Sequence, residues 1–422
     1  MVATVDLLIE HAAQVVTPAG TGPLAGDRQG AVEVVRDAAL ACAGGRVVAV
    51  GSTEAVRASV GIDAATRILD ASDRVVTPGL VDAHTHLVYA GERLDEFELR
   101  AQGATYAEIL AAGGGIHNTV RATRAASLAD LVAGASRRLD RMLQMGTTTA
   151  EAKSGYGLDR ETELRQLEAI ARLDAQGRGE LVATFLGAHA IEPGRTGDEV
   201  VDTLIADVLP EVARQGIARF CDIFCEKGVF TVPQSERLLS AARELGLGVK
   251  LHADELADTG GALLAGRLGA VSADHLHCAS RPGLEAMARA GTVAVLLPGT
   301  AAFLGLTEHA PARAMVDLGV PVALGTDHNP GSCPAESMAL MMSLAVCQMK
   351  LSPAEALVAA TANSAAACGV AERVGRLAPG YQADLVLWEA QDYRAIAYRM
   401  GVNLARTVIK RGRVLIEDRS TR

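Results

Sequence analysis

A series of eight short apolar runs, alternating with helical periods along the middle of the chain, constrains the fold most strongly. These candidate strands cover residues 76–84, 146–152, 181–189, 218–225, 247–253, 269–275, 291–297 and 320–326. Strands separated by helices pair in parallel, because each connection has to cross the sheet. Eight such units predict an α/β fold of the (β/α)8 type, a TIM-like barrel whose active site lies at the carboxyl ends of its strands.

Two helix boundaries agree with this prediction. Ser127 has the side chain of a helix N-cap, and Gly146 follows the end of the same apolar period. A second helix is predicted to begin after Ser352, where Glu355 completes a capping box, and to end at Gly369. Each of these helices lies between or after the candidate strands, as a barrel requires.

Both ends of the chain are rich in β-prone runs separated by turns. The runs cover residues 5–10, 14–17, 46–51, 65–70, 383–389, 404–410 and 414–417. Gly44 and Gly45 predict a hairpin turn before the third run. We therefore predict a composite β-sandwich domain built from residues 1–75 and 373–422, with the barrel domain at residues 76–372.

Composition limits the classes of function. A chain of 422 residues, 49% of them hydrophobic, can bury one large core and a smaller second one. Its formal net charge of -10 disfavours binding to nucleic acids and to anionic membranes. Seven cysteines are dispersed without a disulfide framework, and no leader or membrane-spanning run is evident. These features predict a cytoplasmic protein that acts on a small molecule.

His84 and His86 stand two residues apart at the end of the first candidate strand. Side chains two residues apart on a strand point to the same side, so both imidazoles can reach one metal ion. Polar residues of the kind that bind metals or transfer protons follow other strands at His189, His252, Glu255, His275, His277 and Asp327. His277, one strand repeat past His275, is the member most easily explained as a bystander.

Three imidazoles and one carboxylate, from His84, His86, His252 and Asp327, form a ligand set that suits Zn(II) or Fe(II) and leaves positions for water. Taken alone, His252 is better explained as a buried core histidine, and Asp327 as the cap of the following turn. The metal hypothesis is favoured because these residues end strands 1, 5 and 8, which converge only in a barrel. Such a site is typical of hydrolases.

Two segments, Pro78-Gly-Leu-Val-Asp-Ala-His-Thr-His86 and Gly375-Arg-Leu-Ala-Pro-Gly-Tyr-Gln-Ala-Asp-Leu-Val386, resemble the amidohydrolase superfamily. A longer set of motifs resembles one family within it, the imidazolonepropionases of histidine degradation. This set comprises Tyr89-Ala-Gly-Glu-Arg93, Glu96-Phe-Glu, Gln102-Gly-Ala-Thr-Tyr106, Gly113-Gly-Gly-Ile116, Lys153-Ser-Gly-Tyr-Gly157, Gly187-Ala-His189, His252-Ala-Asp-Glu255, Ser272-Ala-Asp-His275, Leu297-Pro-Gly299 and Gly325-Thr-Asp-His-Asn-Pro-Gly-Ser332. His328 stands where relatives often have an aromatic residue.

The resemblance implies that one Zn or Fe ion is held by His84, His86, His252 and Asp327. It also implies contacts to substrate or product from Arg93, Tyr156, His189, Glu255, Asn329, Gly331 and Ser332. Relatives are often homodimers, which gives the expected oligomeric state. The implied reaction is hydrolysis of the lactam C–N bond of 4-imidazolone-5-propanoate to N-formimidoyl-L-glutamate.

This chemistry assigns roles to several residues. Arg93 can hold the carboxylate tail of such a substrate through two parallel hydrogen bonds, although a surface salt bridge with Asp95 or Glu96 is the ordinary alternative. Glu255, His275 and Asp327 are the candidates for proton transfer and for stabilising the oxyanion. Their division of labour is left open by the sequence.

Three other interpretations remain. Two-metal relatives require a carbamylated lysine at the end of strand 4, but Lys227 lies beyond that strand, so one metal is predicted. A deaminase acting on a ring such as guanine or cytosine would share the metal ligands, but would have no use for Arg93 as a carboxylate clamp. A scaffold protein with a structural metal is disfavoured, because structural metal sites are usually closed by four ligands and have no proton-transfer residues beside them.

Overall fold

The structure is a computed structural model that describes residues 4–104, 108 and 114–417. Parts of two motifs, at 105–106 and 113, and the extreme ends of the predicted terminal domain lie outside the described residues. The strands are β1 (Leu7–Pro18), β2 (Val32–Ala43), β3 (Arg46–Ser52), β4 (Arg67–Asp70), β5 (Val75–Pro78), β6 (Leu80–Asp82), β7 (Thr147–Lys153), β8 (Glu180–Ala188), β9 (Phe220–Cys225), β10 (Gly248–Ala253), β11 (Ser272–His275), β12 (Val293–Leu296), β13 (Val322–Leu324), β14 (Leu385–Trp388), β15 (Ala405–Lys410) and β16 (Arg413–Glu417).

The α-helices cover Thr53–Ser59, Leu94–Ala101, Ile116–Ala125, Leu128–Gln144, Arg160–Asp174, Gly197–Thr203, Leu209–Gln215, Val232–Glu244, Gly261–Leu268, Arg281–Ala290, Pro298–Leu304, Ala312–Asp317, Met338–Met349, Pro353–Val358, Ser364–Ala367 and Ala395–Tyr398. Short 3-10 and π segments lie at Gly26–Arg28, Leu204–Val208 and Ala359–Asn363. Among the described residues, no helix has the length and apolar character needed to cross a membrane.

Strands β6 to β13 pair in chain order and in parallel, as the eight apolar runs predict. Backbone hydrogen bonds close the cylinder between its first and last strands: Asp327 N donates to His84 O at 2.9 Å, and His86 N donates to His328 O at 2.9 Å. Helices follow the strands and cover the outside of the cylinder. The predicted (β/α)8 barrel is confirmed, and the bonds that close it join two segments that carry candidate metal ligands.

The first predicted strand, 76–84, is in fact two strands. Val75–Pro78 pairs with β1 and β14, whereas Leu80–Asp82 pairs with β7 of the barrel. Gly79 lies between them, at a point where the chain passes so close to Thr148 that a Cβ would collide with its side chain. The chain thus passes from one sheet directly into the other.

The β-rich ends of the chain form a separate sheet in the order β16-β15-β14-β5-β1-β2-β3, with β4 beside β1. Leu40, Leu385 and Ile409 from opposite parts of this sheet share one hydrophobic cluster, so the sheet bends over its own core. The predicted separate β layer from both termini is confirmed. The bounds of the two domains stay a prediction.

Two details of this sheet differ from the sequence prediction. The runs 5–10 and 14–17 belong to one strand, β1, which changes register between Ile9 and Ala12, where His11 has a φ of 59°. Strand β2 was not predicted; its first half combines valines with charged residues, all of them exposed or partly exposed, and its second half is largely buried. The hairpin turn at Gly44 and Gly45 is confirmed between β2 and β3.

Both predicted helix boundaries are confirmed. Ser127 accepts a hydrogen bond from Asp130 N at the start of the helix Leu128–Gln144, and the capping box is complete. Ser352 and Glu355 form the second capping box, and Gly369 ends that helical region with a φ of 65°. All seven cysteines are free.

A buried ion-pair network joins the terminal sheet to the barrel at the end opposite the predicted site. Lys410 Nζ lies 2.7 Å from Asp384 Oδ2 and 3.1 Å from Glu180 Oε2, and it donates to Thr149 Oγ1 at 3.3 Å. The charged side chains are at most 5% exposed. Burial opposes the charged form of Glu180, but Lys410 and its other partners hold the pKa of this carboxyl well below its usual range.

Replacing Lys410 with methionine is expected to lower the free energy of unfolding by about 3 kcal/mol, because it leaves the buried carboxylate of Asp384 without the lysine that neutralises it. Urea unfolding followed by circular dichroism measures this change. Arg413→Met, at an exposed position in the neighbouring strand, is the matched control and should change stability little. Equal stability of Lys410→Met and the wild type would show that the network does not stabilise the fold.

Candidate metal and active site

Three of the sequence-predicted metal ligands lie together where the barrel closes. The Nε2 atoms of His84 and His86 are 3.3 Å apart, and each lies 3.5 Å from Asp327 Oδ1. All three side chains are buried. Thr300 Oγ1 donates a hydrogen bond of 2.6 Å to the other carboxylate oxygen of Asp327, which fixes the direction of the first.

His252, at the end of β10, lies beside these residues, and its ring nitrogens group with those of His84 and His275 and with those of His86 and His189. Its ring centroid lies 4.5 Å from that of His84 and 5.6 Å from that of His86. His252 Nε2 is buried and has no hydrogen-bond partner among the described residues. An orphaned, buried imidazole nitrogen facing two other imidazoles is an arrangement that a cation would satisfy.

Two carboxylates orient the imidazoles from behind. Asp274 Oδ2 lies 2.6 Å from His84 Nδ1, and Asp222 Oδ2 lies 2.9 Å from His252 Nδ1. A carboxylate at Nδ1 keeps the imidazole proton on that nitrogen, so Nε2 has a lone pair that can bind a metal. Metal-binding histidines are usually oriented in this way. The donor set therefore fits a zinc or iron ion, which prefers imidazole and carboxylate ligands.

His189 and Tyr156, two predicted substrate contacts, border the metal ligands. The ring of His189 stacks on that of His86 with centroids 4.8 Å apart, and Tyr156 lies 5.4 Å from His189. His189 Nδ1 bonds to Gly155 O at 2.9 Å, and burial lowers the pKa of His189 to about 3. The ring is therefore neutral at physiological pH, with Nδ1 as the donor.

The loop that carries Tyr156 is held by a residue that sequence reasoning missed. Both carboxylate oxygens of the buried Glu163 accept backbone hydrogen bonds of 2.8 to 2.9 Å, from Gly155, Gly157 and Leu158. Glu163 stands in the helix Arg160–Asp174 that follows this loop. The sequence shows two acids in the first turn of this helix, Glu161 and Glu163, but it does not show which of them is buried.

Asn329, Gly331 and Ser332 form one compact turn after β13. Asn329 Oδ1 accepts from Gly331 N and Ser332 N at 2.8 Å each, and its Nδ2 donates to Ser332 Oγ at 2.8 Å. Nδ2 also donates to Asp327 O at 2.7 Å. The side chain of Asn329 thus shapes the turn and ties it to a metal ligand.

Arg93 lies beside this turn. A Cβ at Gly331 would collide with the Arg93 guanidinium in its present position, so the glycine gives the arginine room to lie against the turn. Arg93 Nε donates to Glu96 Oε2 at 2.9 Å, and Glu96 Oε1 accepts from Gly115 N at 3.0 Å. The salt bridge with Glu96 that the sequence allowed is present, but it is largely buried and holds Arg93 at the site.

Glu255 and His275 lie close to each other at the same mouth, with Glu255 Oε1 3.5 Å from His275 Nδ1. Burial, assisted by the charge of Asp327, raises the pKa of Glu255 to about 8. Burial raises the pKa of Asp327 to about 6. At neutral pH Glu255 therefore carries a proton that it can give away.

The backbone at these strand ends is strained. Asp327 and His275 have φ values of 54° and 74°, in the left-handed region that non-glycine residues avoid. Such conformations cost of order 1 to 3 kcal/mol each and cluster at functional sites. The strain aims both side chains inward after their strands end.

A group of charged residues below the candidate ligands was also missed. It consists of Glu151, Lys153, Asp222, Lys250 and Asp274, all with fully buried side chains. Each belongs to a barrel strand. The available signal was a charged residue inside a predicted strand, which Glu151, Asp222, Lys250 and Asp274 each supply.

Other polar residues lie outside the candidate ligand cluster. His328 Nδ1 donates to Ala335 O at 3.1 Å, and its ring lies 6.0 Å from that of Tyr89, so it fills an aromatic position without joining the metal ligands. Lys227 is exposed. His277 lies next to His275, with ring centroids 6.2 Å apart, and belongs to none of the candidate ligand groups among the described residues.

An eight-stranded parallel barrel with histidines and an acid gathered at the carboxyl ends of its strands defines the class of metal-dependent hydrolases. The profile of the Amidohydrolase family matches residues 75–415. The chain therefore belongs to the amidohydrolase family.

Within that family the chain belongs with the imidazolonepropionases. The imidazolonepropionase of Chloroflexus aggregans is 49% identical over 425 residues, covering 98% of this chain and 99% of its own length. That of Geobacillus kaustophilus is 49% identical over 417 residues, covering 98% of both chains.

Solved structures show the same fold at low identity. An adenosine deaminase from Xanthomonas campestris with bound zinc has a TM-score of 0.75 and 21% identity, covering 99% of this chain and 94% of its own. The guanine deaminase of E. coli has a TM-score of 0.71 and 15% identity, covering 97% of this chain and 99% of its own. At these identities the similarity concerns the fold alone.

Proposed function

We propose that this chain is a metal-dependent cyclic amidohydrolase that converts 4-imidazolone-5-propanoate to N-formimidoyl-L-glutamate in histidine degradation. The observation that carries the proposal is 49% identity over the full length to proteins named imidazolonepropionase. The reaction consumes one water. The ring C–N bond breaks, the carbonyl carbon becomes a carboxylate, and the released nitrogen takes a proton.

His84, His86, His252 and Asp327 would hold one Zn or Fe ion. Support comes from the orphaned Nε2 of His252 and from the carboxylates behind two of the imidazoles. A bound metal would polarise the ring carbonyl and lower the pKa of a water molecule to about 7. A single ion is favoured because Lys227 is exposed and cannot bridge two metals.

Arg93 would bind the propanoate tail of the substrate. Its Nε is already bonded to Glu96, so the terminal amino groups beside Gly331 are the ones available to a carboxylate. Tyr156 and His189 would contact the substrate next to the metal ligands, and the turn containing Asn329, Gly331 and Ser332 would close the pocket on the other side.

Glu255, His275 and Asp327 would divide proton transfer and stabilisation of the oxyanion among them. Glu255, protonated at neutral pH, is placed to give its proton to the departing ring nitrogen. Burial lowers the pKa of His275 well below its usual value, so a neutral imidazole would donate one N–H to the oxygen that gains negative charge. Asp327 would accept the proton of the attacking water.

Mixing metal-loaded protein with freshly prepared 4-imidazolone-5-propanoate and following its ultraviolet absorbance tests the proposal. Metal-dependent loss of absorbance, with N-formimidoyl-L-glutamate as product, is the expected result. A chelated sample and a His84→Ala variant should be inactive. Turnover of aminated rings but not of the imidazolone would favour the deaminase alternative, which no feature of the described site supports over the proposed reaction.

Replacing Arg93 with lysine is expected to raise KM roughly 10- to 100-fold and to change kcat less. A lysine loses the paired hydrogen bonds to the propanoate, and hydrogen bonds to charged groups are worth about 1.5 to 3 kcal/mol. Steady-state kinetics measures both constants. Arg100→Lys is the matched control, because Arg100 lies in the helix that follows Arg93 and its guanidinium lies over the ring of Phe303. An unchanged KM would exclude Arg93 as the carboxylate clamp.

Several further expectations accompany this function. We propose a homodimer in the cytoplasm that contacts neither membrane nor nucleic acid, and a division of the chain into a terminal domain at 1–75 and 373–422 and a barrel domain at 76–372. The oligomeric state can be measured by light scattering.

A further inference from the structure

Lys153, at the end of β7, occupies a central position under the candidate metal site. Its Nζ donates to Asp222 Oδ2 at 2.7 Å and to Asp274 Oδ2 at 3.3 Å. These are the same two oxygen atoms that face the Nδ1 atoms of His252 and His84. One ammonium group therefore contacts both carboxylates that orient metal-binding imidazoles.

The other oxygen of each carboxylate is held separately. Asp222 Oδ1 accepts from the backbone nitrogens of Ile223 and His252, at 2.7 and 3.1 Å. Asp274 Oδ1 accepts from Ser272 Oγ at 2.7 Å. Lys153 is thus the shared partner of the two Oδ2 atoms. Its removal would leave each Oδ2 with its histidine but without the ammonium group that fixes it.

The cluster has a second lysine that makes a comparison possible. Lys250 is as deeply buried as Lys153, but its Nζ bonds to Glu151 at 2.7 Å. Glu151 also lies 2.9 Å from Lys153. The two lysines therefore share a charge environment, but of the two, within the described structure, Lys153 alone donates to the carboxylates behind the imidazoles.

We propose that Lys153 is a positioning residue for the metal centre: it fixes Asp222 and Asp274 together, and through them sets the orientation of His252 and His84. The inference rests on the proposed metal centre. Under it, Lys153 links the orientation of His84 to that of His252, although these two ligands come from strands on opposite sides of the barrel. Removing Lys153 would loosen both imidazoles, whereas removing Lys250 would disturb the core without loosening either.

The test measures Zn²⁺ affinity without substrate, by competition with a chromophoric chelator, for wild type, Lys153→Met and Lys250→Met. Loss of a partner behind a metal ligand typically weakens metal binding 10- to 100-fold. We expect a loss of that size for Lys153→Met and a change of less than about threefold for Lys250→Met. Saturating Zn²⁺ should restore part of the activity of Lys153→Met.

The results separate this inference from the proposed function. Equal Zn²⁺ affinity of Lys153→Met and wild type, or an equal loss in both lysine variants, would overturn the positioning role and leave the metal centre standing. A wild type that binds no Zn²⁺ would overturn both. Should Lys153→Met fail to fold, Lys153→Gln, which keeps a donor but not the charge, replaces it and is expected to show the same loss.

Discussion

Replacing His252 with alanine is expected to remove the metal and to lower kcat/KM for 4-imidazolone-5-propanoate by roughly 10³-fold or more. Charge stabilisation by a bound metal is worth several kcal/mol in a transition state, and about 4 kcal/mol corresponds to a thousandfold change in rate. His252 is the ligand whose Nε2 has no partner among the described residues, so the variant loses a metal contact and no hydrogen bond of that atom.

Elemental analysis of the purified variant, alongside steady-state kinetics, measures both effects. His277→Ala is the matched control, because His277 also has ring nitrogens without partners among the described residues but lies in no candidate ligand group. Full metal content in His252→Ala would remove His252 from the ligand set. Loss of metal with full activity would remove the metal from the reaction.

Replacing Glu255 with glutamine is expected to lower kcat by roughly 10²- to 10⁴-fold with the metal content unchanged, which is the usual contribution of a general acid. The pKa of Glu255 is raised to about 8, so the carboxyl is protonated below that pH and ionised above it. A proton donor with this pKa gives a wild-type kcat that is high at neutral pH and falls as pH rises through about 8. Glutamine cannot supply the proton.

The pH profile of kcat for both proteins, together with metal content, measures this prediction. The fall above pH 8 should be absent from the residual activity of Glu255→Gln. Asp258→Asn, an exposed change in the same loop, is the control and should match the wild type. A rise in kcat through pH 8 would show that Glu255 acts as a base, and full activity in Glu255→Gln would remove it from the mechanism.

The sequence was sufficient to predict the barrel and to select residues that the structure brings together. His252 and Asp327 are far from His84 in the chain, but the rule that active sites form at strand carboxyl ends gathers them once eight strands are assigned. The strands were assigned from the periodicity of apolar residues alone, and the eight assigned strands overlap the observed ones. The family motifs added Arg93 and the turn at Gly331, which spacing alone would not connect.

The roles of the residues that support the metal ligands could not be predicted from the sequence, for a physical reason. Lys153, Asp222 and Asp274 stand on three different strands, and the sequence does not reveal which side chains of those strands face each other inside the cylinder. Their roles follow from distances between side chains on different strands. The division of the first strand at Gly79 was missed similarly, because its two halves are distinguished by their partners, β14 and β7, which are distant in the sequence.

The passage from β5 directly into β6 has a consequence for synthesis of the protein. Strand β5 needs β14 as its antiparallel neighbour, and β14 begins at Leu385, about 300 residues later. At about 5 to 20 residues per second, the ribosome takes roughly 15 to 60 seconds to produce that partner. During this time the edge of β5 that faces away from β1 has no partner strand, and an unpaired edge is a type of surface that promotes aggregation. Messages cut short before Leu385 should therefore yield insoluble products, and the growing polypeptide has reason to depend on chaperones.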